Sequence, residues 1–520
     1  MEKIEWDDVQ GLLLSGYPQL PFSAYLVWRF RPGRRDAARR WLADLAERLM
    51  RADGVKGGVR TAGATPTAPT NIQALKTASG SDLRAINLAL TASGLRKLDL
   101  DESRLSEFSL EFLEGMAPKL AAPTQIPRRS NLLGDAGDSS PELWDWGGWM
   151  EEDDVDGMLL LYAADEQALQ ALVDAEIQAM DAASEVAVSA GRDSGGPIIL
   201  KGRLYDDRKE HFGFTDGISQ PTIEGSPMAQ RSKEKLKRRS AAIKENEDGK
   251  VLSAKEQRIS LVKPGEFVLG YVNERRERIS DRSAKGHANG PDLLRNGTYM
   301  VFRQLEQDVH AFEDFVSLLA ERLHGEADSV TEEQVAARLI GRHKNGEPLV
   351  LRAENSSKKT ERNDFLYSHE DGSGLACPIG AHIRRANPRD AIGPDPDTAL
   401  RLSKMHRIIR RGRPYGARRD PKEGKSSGNG SRRGIAFIAL NADIAGQFEM
   451  IQHSWLNNPH FGGLYAGTDP IGHVVQAGDE FAVQQRPANL HIERPRPFVT
   501  VRGGAYFFLP GVNAVRALAD

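Results

Sequence analysis

The sequence predicts an α+β fold in two tandem halves, each an antiparallel sheet with peripheral helices. Three observations predict it: a strand–aspartate–helix unit that occurs four times, a near-constant spacing between the copies, and a length of 520 residues, more than one hydrophobic core usually serves. The first unit is Tyr25-Leu-Val-Trp-Arg-Phe30, then Asp36, then a helix-period stretch from Ala37 to Met50 with Trp41, Leu42, Leu45 and Leu49 on one face. The second is Met158-Leu-Leu-Leu-Tyr162, then Asp165, with Leu169, Leu172, Val173, Ile177 and Met180 aligned. The third is Tyr299-Met-Val-Phe302, then Asp308, with Phe312, Phe315, Val316 and Leu319. The fourth is Ile435-Ala-Phe-Ile-Ala-Leu440, then Asp443, with Ile444, Phe448, Ile451 and Trp455. Each aspartate stands where it can accept the free amide protons of a helix start and meet the positive end of the dipole. The residues at the head of these strands, Ala24, Gly157, Thr298 and Gly434, lie 133, 141 and 136 residues apart. Two units per half, completed by further antiparallel strands, make a ferredoxin-like βαββαβ domain. The expected boundaries are 1–225 for the first domain, 226–262 for a charged surface insertion and 263–520 for the second domain.

Composition removes several classes of function. Lys+Arg 70 against Asp+Glu 73 gives a net charge of −3, so bulk electrostatics offers no reason to bind nucleic acid or an anionic membrane. Hydrophobic residues at 39% place the chain among globular proteins. The longest apolar runs, Met158–Ala164 and Ile435–Leu440, are too short to cross a bilayer. The N-terminus is acidic and carries no apolar signal region, which predicts a cytoplasmic protein. A single cysteine, Cys377, excludes an internal disulfide and any multi-cysteine metal site within one chain. Three stretches read as surface loops: Gly57–Thr70, the charge-dense Gln230–Lys263 and the polar, glycine-rich Ala417–Arg433. The basic run Arg231–Arg239 has no interleaved aromatics and is followed by acidic residues, so it reads as a solvated insertion.

Two segments are chemically unusual. In His211-Phe-Gly-Phe-Thr-Asp-Gly-Ile-Ser-Gln-Pro221, Gly213 and Gly217 bracket Asp216, a pattern that allows positive φ and close backbone approach to a flat or bulky group. Alone it reads equally as a tight turn. In Cys377-Pro-Ile-Gly-Ala-His-Ile-Arg-Arg-Ala-Asn-Pro-Arg-Asp390, one histidine sits among Arg384, Arg385 and Arg389. Flanking cations disfavour its protonation, which suits a neutral imidazole serving either as a hydrogen-bonded structural residue or as a metal ligand. An arginine-dense strand–turn follows, Arg407-Ile-Ile-Arg-Arg-Gly-Arg-Pro-Tyr-Gly416, able to face an anion.

With these segments in order, the sequence resembles the dye-decolourising peroxidase family, and in length the longer bacterial members. The family's Gly-x-x-Asp-Gly signature appears as Gly213-Phe-Thr-Asp-Gly217, its proximal-histidine segment as His382-Ile-Arg-Arg-Ala-Asn-Pro-Arg389, and its distal-arginine segment as Ile409-Arg-Arg-Gly412 with Pro414-Tyr-Gly416. Asp8-Val-Gln-Gly-Leu-Leu13 near the start and Phe498–Pro510 near the end extend the resemblance over nearly the whole chain. It implies tandem ferredoxin-like halves, one haem b per chain held in the C-terminal half, reduction of hydrogen peroxide, and oxidation of dyes, phenolic or other bulky aromatic donors.

By this resemblance His382 is the axial ligand of the haem iron, with Asp469 in Gly467-Thr-Asp-Pro-Ile-Gly472 as the acceptor for its second nitrogen. Cys377 is the rival ligand, since a Cys-Pro thiolate also binds haem. Asp216 and Arg410 are the catalytic pair, the carboxylate moving a proton and the guanidinium stabilising developing negative charge. Arg411 competes with Arg410, because neighbours in extended chain point to opposite sides. Ile218, Ile435 and Phe437 are expected against the cofactor, and Arg384 is the expected partner of a haem propionate, with a surface ion pair as its alternative. Trp455 and Tyr415 lie near the matched segments as possible electron carriers, although core packing accounts for Trp455 equally well. An aspartate proton carrier predicts a pH optimum on the acidic side of neutral. A non-enzymatic haem or iron-handling protein, and a cofactor-free interaction module, are the competing functions. The chain's end directly after the last strand and helix predicts a free enzyme rather than one packed into a protein compartment, and an oligomer remains open.

Overall fold

A computed structural model describes residues 2–31, 35–52, 83–118, 128–150, 154–183, 186–189, 197–227, 229–230, 259–279, 291–323, 330–350, 363–418, 432–472, 479–493 and 496–520. The loops expected at 57–70, and most of those at 230–263 and 417–433, lie outside the described residues. Among the described residues, no helix is long and apolar enough to cross a membrane.

The four strand–helix units are present. Strand β1 (Phe22–Phe30) is followed by the Arg35–Ala46 helix, and strand β2 is Arg84–Leu90. Strand β3 (Gly157–Ala163) leads into the Glu166–Ala183 helix, with β4 (Val186–Val188) and β5 (Ile199–Arg203) after it. A parallel pair, β6 (Thr222–Ile223) and β7 (Leu261–Val262), separates the halves. The second half holds β8 (Thr298–Gln307), the Val309–Leu323 helix, β9 (Ile409–Arg410), β10 (Arg413–Tyr415) and β11 (Gly434–Asn441). A small hairpin of β12 (Glu480–Val483) and β13 (Leu490–Glu493) precedes β14 (Val499–Leu509) and the terminal Val512–Ala519 helix.

Three of the four aspartates cap as expected. The amides of Ala168, Ala311 and Gly446 donate to Asp165, Asp308 and Asp443 at 2.7, 2.9 and 2.8 Å. Asp36 lies one residue inside its helix, in the first turn. The segment after Asp443 departs from expectation: Ile444–Glu449 and Ile451–Leu456 are wound as π-helix rather than α-helix. Such wide turns are rare and cluster at functional sites, and this one lines a cavity. Strand β2 has no clear period-2 signal, because Ala85, Asn87 and Ala89 face the interior of a barrel as small or hydrogen-bonded residues.

The halves share one sheet. Its order begins β5-β1-β3-β2 and continues β14-β8-β11-β9, so each half repeats the 4-1-3-2 arrangement of a ferredoxin-like unit, every neighbour antiparallel. Two short seams join them: Phe508 opposite Leu90 on one side, and on the other β10, which pairs with both β11 and β5. The sheet therefore closes on itself as a barrel, and closure covers most of the edge that a lone sheet exposes, with β9 keeping one side that no strand pairs among the described residues. Tyr25, Val27, Leu160, Tyr162, Phe302, Ile438 and Phe507 fill the interior. The alternate residues face outward, where Trp28, Leu159, Leu161, Val301 and Phe508 pack against Trp41, Leu45, Leu169 and Val173 of the helices. Gly412 separates β9 from β10 and lets the chain press onto β11, where an added Cβ would stand 2.5 Å from the carbonyl oxygen of Ala436.

Glu266 marks a strained point in this packing. It is 3% exposed, its carboxylate accepts the Glu274 amide at 2.9 Å, and burial pushes its pKa up to about 7, with the charges of Glu274 and Asp443 adding to the rise. The folded state thus keeps a proton that the unfolded chain loses above about 4.5, so stability falls as pH rises from there to about 7. Glu266→Gln keeps the acceptor without the charge. It is expected to raise Tm by several degrees at pH 8 and not at pH 4.5, measured by calorimetry at both; an equal Tm at pH 8 would contradict the assignment.

Candidate active site

A cavity of about 310 Å³ lies outside the barrel, between the outer face of the second half's strands and a cover of helices and loops. Leu305 and Gln307 of β8, Ile435 and Phe437 of β11, and Val499 and Val501 of β14 form the sheet wall. Phe448, Ile451 and Leu456 come from the π-helical segments, and His382 from the short His382–Ala386 helix. Leu133, Asp135 and seven of the residues between Glu210 and Ser219, among them Phe212, Phe214, Asp216 and Ile218, extend the lining from the chain before residue 225.

His382 follows the Pro378–Ala381 turn, closed by the Ala381 amide donating to Pro378 at 3.0 Å. Its Nδ1 lies 3.1 Å from both oxygens of Asp469, which is fully buried. Asp469 is itself held by the amides of Ile471 at 2.9 Å and Gly472 at 2.5 Å. Burial works against both charges, yet the pair outweighs it: the carboxyl is held down at about 2 and the imidazole is raised. The carboxylate thereby fixes the proton on Nδ1 and leaves Nε2 as the donor nitrogen for the cavity.

Asp216 and Arg410 come from the other wall. Gly213 and Gly217 adopt φ of +92° and +78°, and the Asp216 amide donates to Arg208 at 2.9 Å, so the loop turns Asp216 into the cavity. At Gly217 the requirement is conformational, since no atom lies within 4 Å of an added Cβ. Asp216 Oδ1 accepts the Gly217 amide at 2.6 Å and Arg410 Nη1 at 2.9 Å, and no donor to Oδ2 is present among the described residues. Both side chains are partly open, at 40% and 33% exposure.

The structure separates the alternatives left by the sequence. Arg410 lines the cavity, whereas Arg411 turns away and binds the carbonyls of Leu12 and Leu13, each at 2.8 Å. Ile218, Ile435 and Phe437 all line the cavity. Cys377 does not; its thiol is fully buried, and burial pushes it up to about 12, so it stays protonated. Arg384 requires correction. It is 3% exposed and spent on Asp371, Gly372 and Cys377, folding the loop before His382 instead of facing a ligand. Trp455 and Tyr415 are buried and do not line the cavity; the Trp455 ring meets His406 edge-on at 5.3 Å.

Three arginines not named as site candidates line the cavity where Arg384 does not. Arg342, Arg389 and Arg407 line one end of the cavity and are 5%, 2% and 7% exposed. Arg342 and Arg389 bind neutral acceptors, the carbonyls of Gly346, Asn363 and Phe365 and the Asn363 amide oxygen. The guanidinium of Arg407 makes no hydrogen bond or ion pair among the described residues, and burial with the nearby Arg389 and Arg410 charges pushes its pKa down to about 9. A buried, unpaired cation is costly unless an anion meets it. The signal was present in the run Arg407–Arg410, but only the fold shows which arginines turn inward.

No group of three or more His, Cys, Asp or Glu among the described residues could hold a bare metal ion. An Asp469-oriented imidazole in a mostly apolar cavity, with cations at one end, therefore fits a metal that arrives inside a flat apolar macrocycle bearing carboxylate arms. Fold and cavity together suit a protein that holds such a macrocycle.

No family model matches the chain. It is 31% identical over 392 residues to the multifunctional dye peroxidase DyP2 of Amycolatopsis sp., covering 73% of this chain and 74% of that protein. It is 27% identical over 481 residues to Peroxidase 2 of Mycetinis scorodonius, covering 86% and 78%. The fold superposes on a DyP-type peroxidase from Anabaena sp. with a TM-score of 0.71 and 20% identity, over 99% of this chain and 94% of that one. The chain belongs to the dye-decolorizing peroxidase family, whose members are haem enzymes, and it is a peroxidase, an oxidoreductase that uses hydrogen peroxide as acceptor.

Proposed function

We propose that the chain holds one haem b through His382 Nε2 and reduces hydrogen peroxide at the Asp216–Arg410 wall, at the expense of dyes, phenols or other bulky aromatic donors. The observation that carries this reading is the convergence on one cavity of an Asp469-oriented imidazole from the helical cover and an Asp–Arg pair from the sheet and loop wall. When bound, haem supplies the iron that takes electrons from the donor and passes them to peroxide. Asp216 Oδ2 is the atom placed to accept a proton from peroxide and return it to the departing oxygen. Arg410 keeps its charge throughout and lies beside the anion formed when that proton leaves. Ile435 and Phe437 keep the wall apolar, which limits water there.

Protein expressed with haem supplementation is expected to show a Soret band at one haem per chain and peroxide-dependent bleaching of an anthraquinone dye, fastest below pH 7. No Soret band, or an optimum well above neutrality, would overturn the reading. The arginine end has a separate test. Arg407→Met removes a buried cation that has no partner among the described residues, so the haem-free protein is expected to gain several degrees in Tm while the haem-loaded protein loses stability. A fall in both would mean that Arg407 is already satisfied within the fold.

A further inference from the structure

We infer that Gln220 is a positioning residue that keeps Arg410 in place while the charge on Asp216 changes, an inference that rests on the roles proposed for those two residues. Strand β9 lies at the end of the sheet's hydrogen-bonding order, with β11 on one side only. The outward N–H and C=O of Arg410 would be an open edge. The Gln220 amide fills both: its Oε1 accepts the Arg410 amide at 3.0 Å, and its Nε2 donates to the Arg410 carbonyl at 3.1 Å. One side chain thus supplies the paired contacts of a missing strand, across 190 residues of sequence.

The consequence concerns charge. The side chain of Arg410 is tied to Asp216 by an ion pair at 2.9 Å, and that tie is strong only while the carboxylate is ionised. A carboxyl that accepts a proton during turnover loosens this hold at the step where the guanidinium is needed. Gln220 is neutral at every pH, so its grip on the Arg410 backbone does not depend on the proton. It also stands four residues after Asp216 and directly before Pro221, so the loop that places the acid also places the base of the arginine.

The test compares Gln220→Leu and Gln220→Glu with wild type in the haem-loaded enzyme. Glutamate retains the acceptor for the Arg410 amide but sets a carboxylate oxygen against the carbonyl. Both variants are expected to keep the haem-to-protein ratio and the Soret position and to lower the second-order rate with peroxide on the order of 10–100-fold, as small misplacements of a reacting group do. For Gln220→Leu the loss should be larger at acid than at neutral pH, and cyanide affinity, which reads the same wall without turnover, should fall in parallel. Rates and cyanide affinities within twofold of wild type at every pH would overturn the inference, as would a loss in Gln220→Leu that does not change with pH. If Asp216→Asn and Arg410→Leu themselves leave the peroxide rate intact, the failure lies in the roles proposed for those residues and not in Gln220. Should Gln220→Leu fail to fold, Gln220→Glu carries the test.

Discussion

Replacing His382 by alanine is expected to leave a folded protein that no longer retains haem. The ring contributes the cavity's Asp469-oriented imidazole, and its removal leaves Asp469 fully buried without the partner that holds its pKa at about 2. Loss of an orienting partner alone costs roughly 10–100-fold in metal affinity. Asp469→Asn should therefore weaken haem retention by that amount, and His382→Ala by more. The Soret-to-protein absorbance ratio after gel filtration, and transfer of haem to apomyoglobin, measure both. Imidazole added to His382→Ala is expected to restore part of the Soret band. Cys377→Ser should change neither reading, because a thiol pushed up to about 12 and enclosed on all sides offers no thiolate. Full haem retention in His382→Ala would place the ligand elsewhere and remove the basis for the proposed mechanism.

Asp216→Asn is expected to do the reverse: full haem content with peroxide reduction slowed about 10²–10⁴-fold, the usual contribution of a positioned proton carrier. Asparagine keeps the size of the side chain and an oxygen able to accept the Gly217 amide and Arg410 Nη1, so the wall keeps its shape. What disappears is an atom that can take a proton. Stopped-flow rates with peroxide, compared at matched haem content, read the effect, and the acid-side optimum should vanish with it. Arg410→Leu is expected to cost about 10²–10³-fold by removing a preorganised positive charge. A decrease of only a few-fold in Asp216→Asn would show that another group carries the proton.

Much of the architecture was legible in the sequence because it follows from short-range rules. The four strand–helix units are set by local periodicity, and Asp165, Asp308 and Asp443 cap where a short carboxylate meets free amides. Asp216, His382, Arg410 and Asp469 were singled out by the resemblance of their segments to the family's motifs, not by local pattern alone. Arg384 shows where this stops. It stands two residues from His382 and reads as a candidate for an anion, yet its helix turns it into the loop of Asp371. Arg407 looked like one more member of a basic run, yet its guanidinium makes no hydrogen bond or ion pair among the described residues. Gln220 carried no signal, since an amide acquires meaning only from the strand edge it meets.

The sequence by itself determined the α+β class, the two repeated halves and the residue types available for the chemistry, because local propensity and the alternation of apolar residues are written in neighbouring positions. Tertiary structure alone decided that the halves close into one barrel, that Arg410 rather than Arg411 faces the cavity, and that the acid, the guanidinium and the imidazole share it. The physical reason is separation. Asp216 and Arg410 stand 194 residues apart, and which side chains meet at such a distance is set by sheet order and by the direction each backbone presents, neither of which is encoded locally.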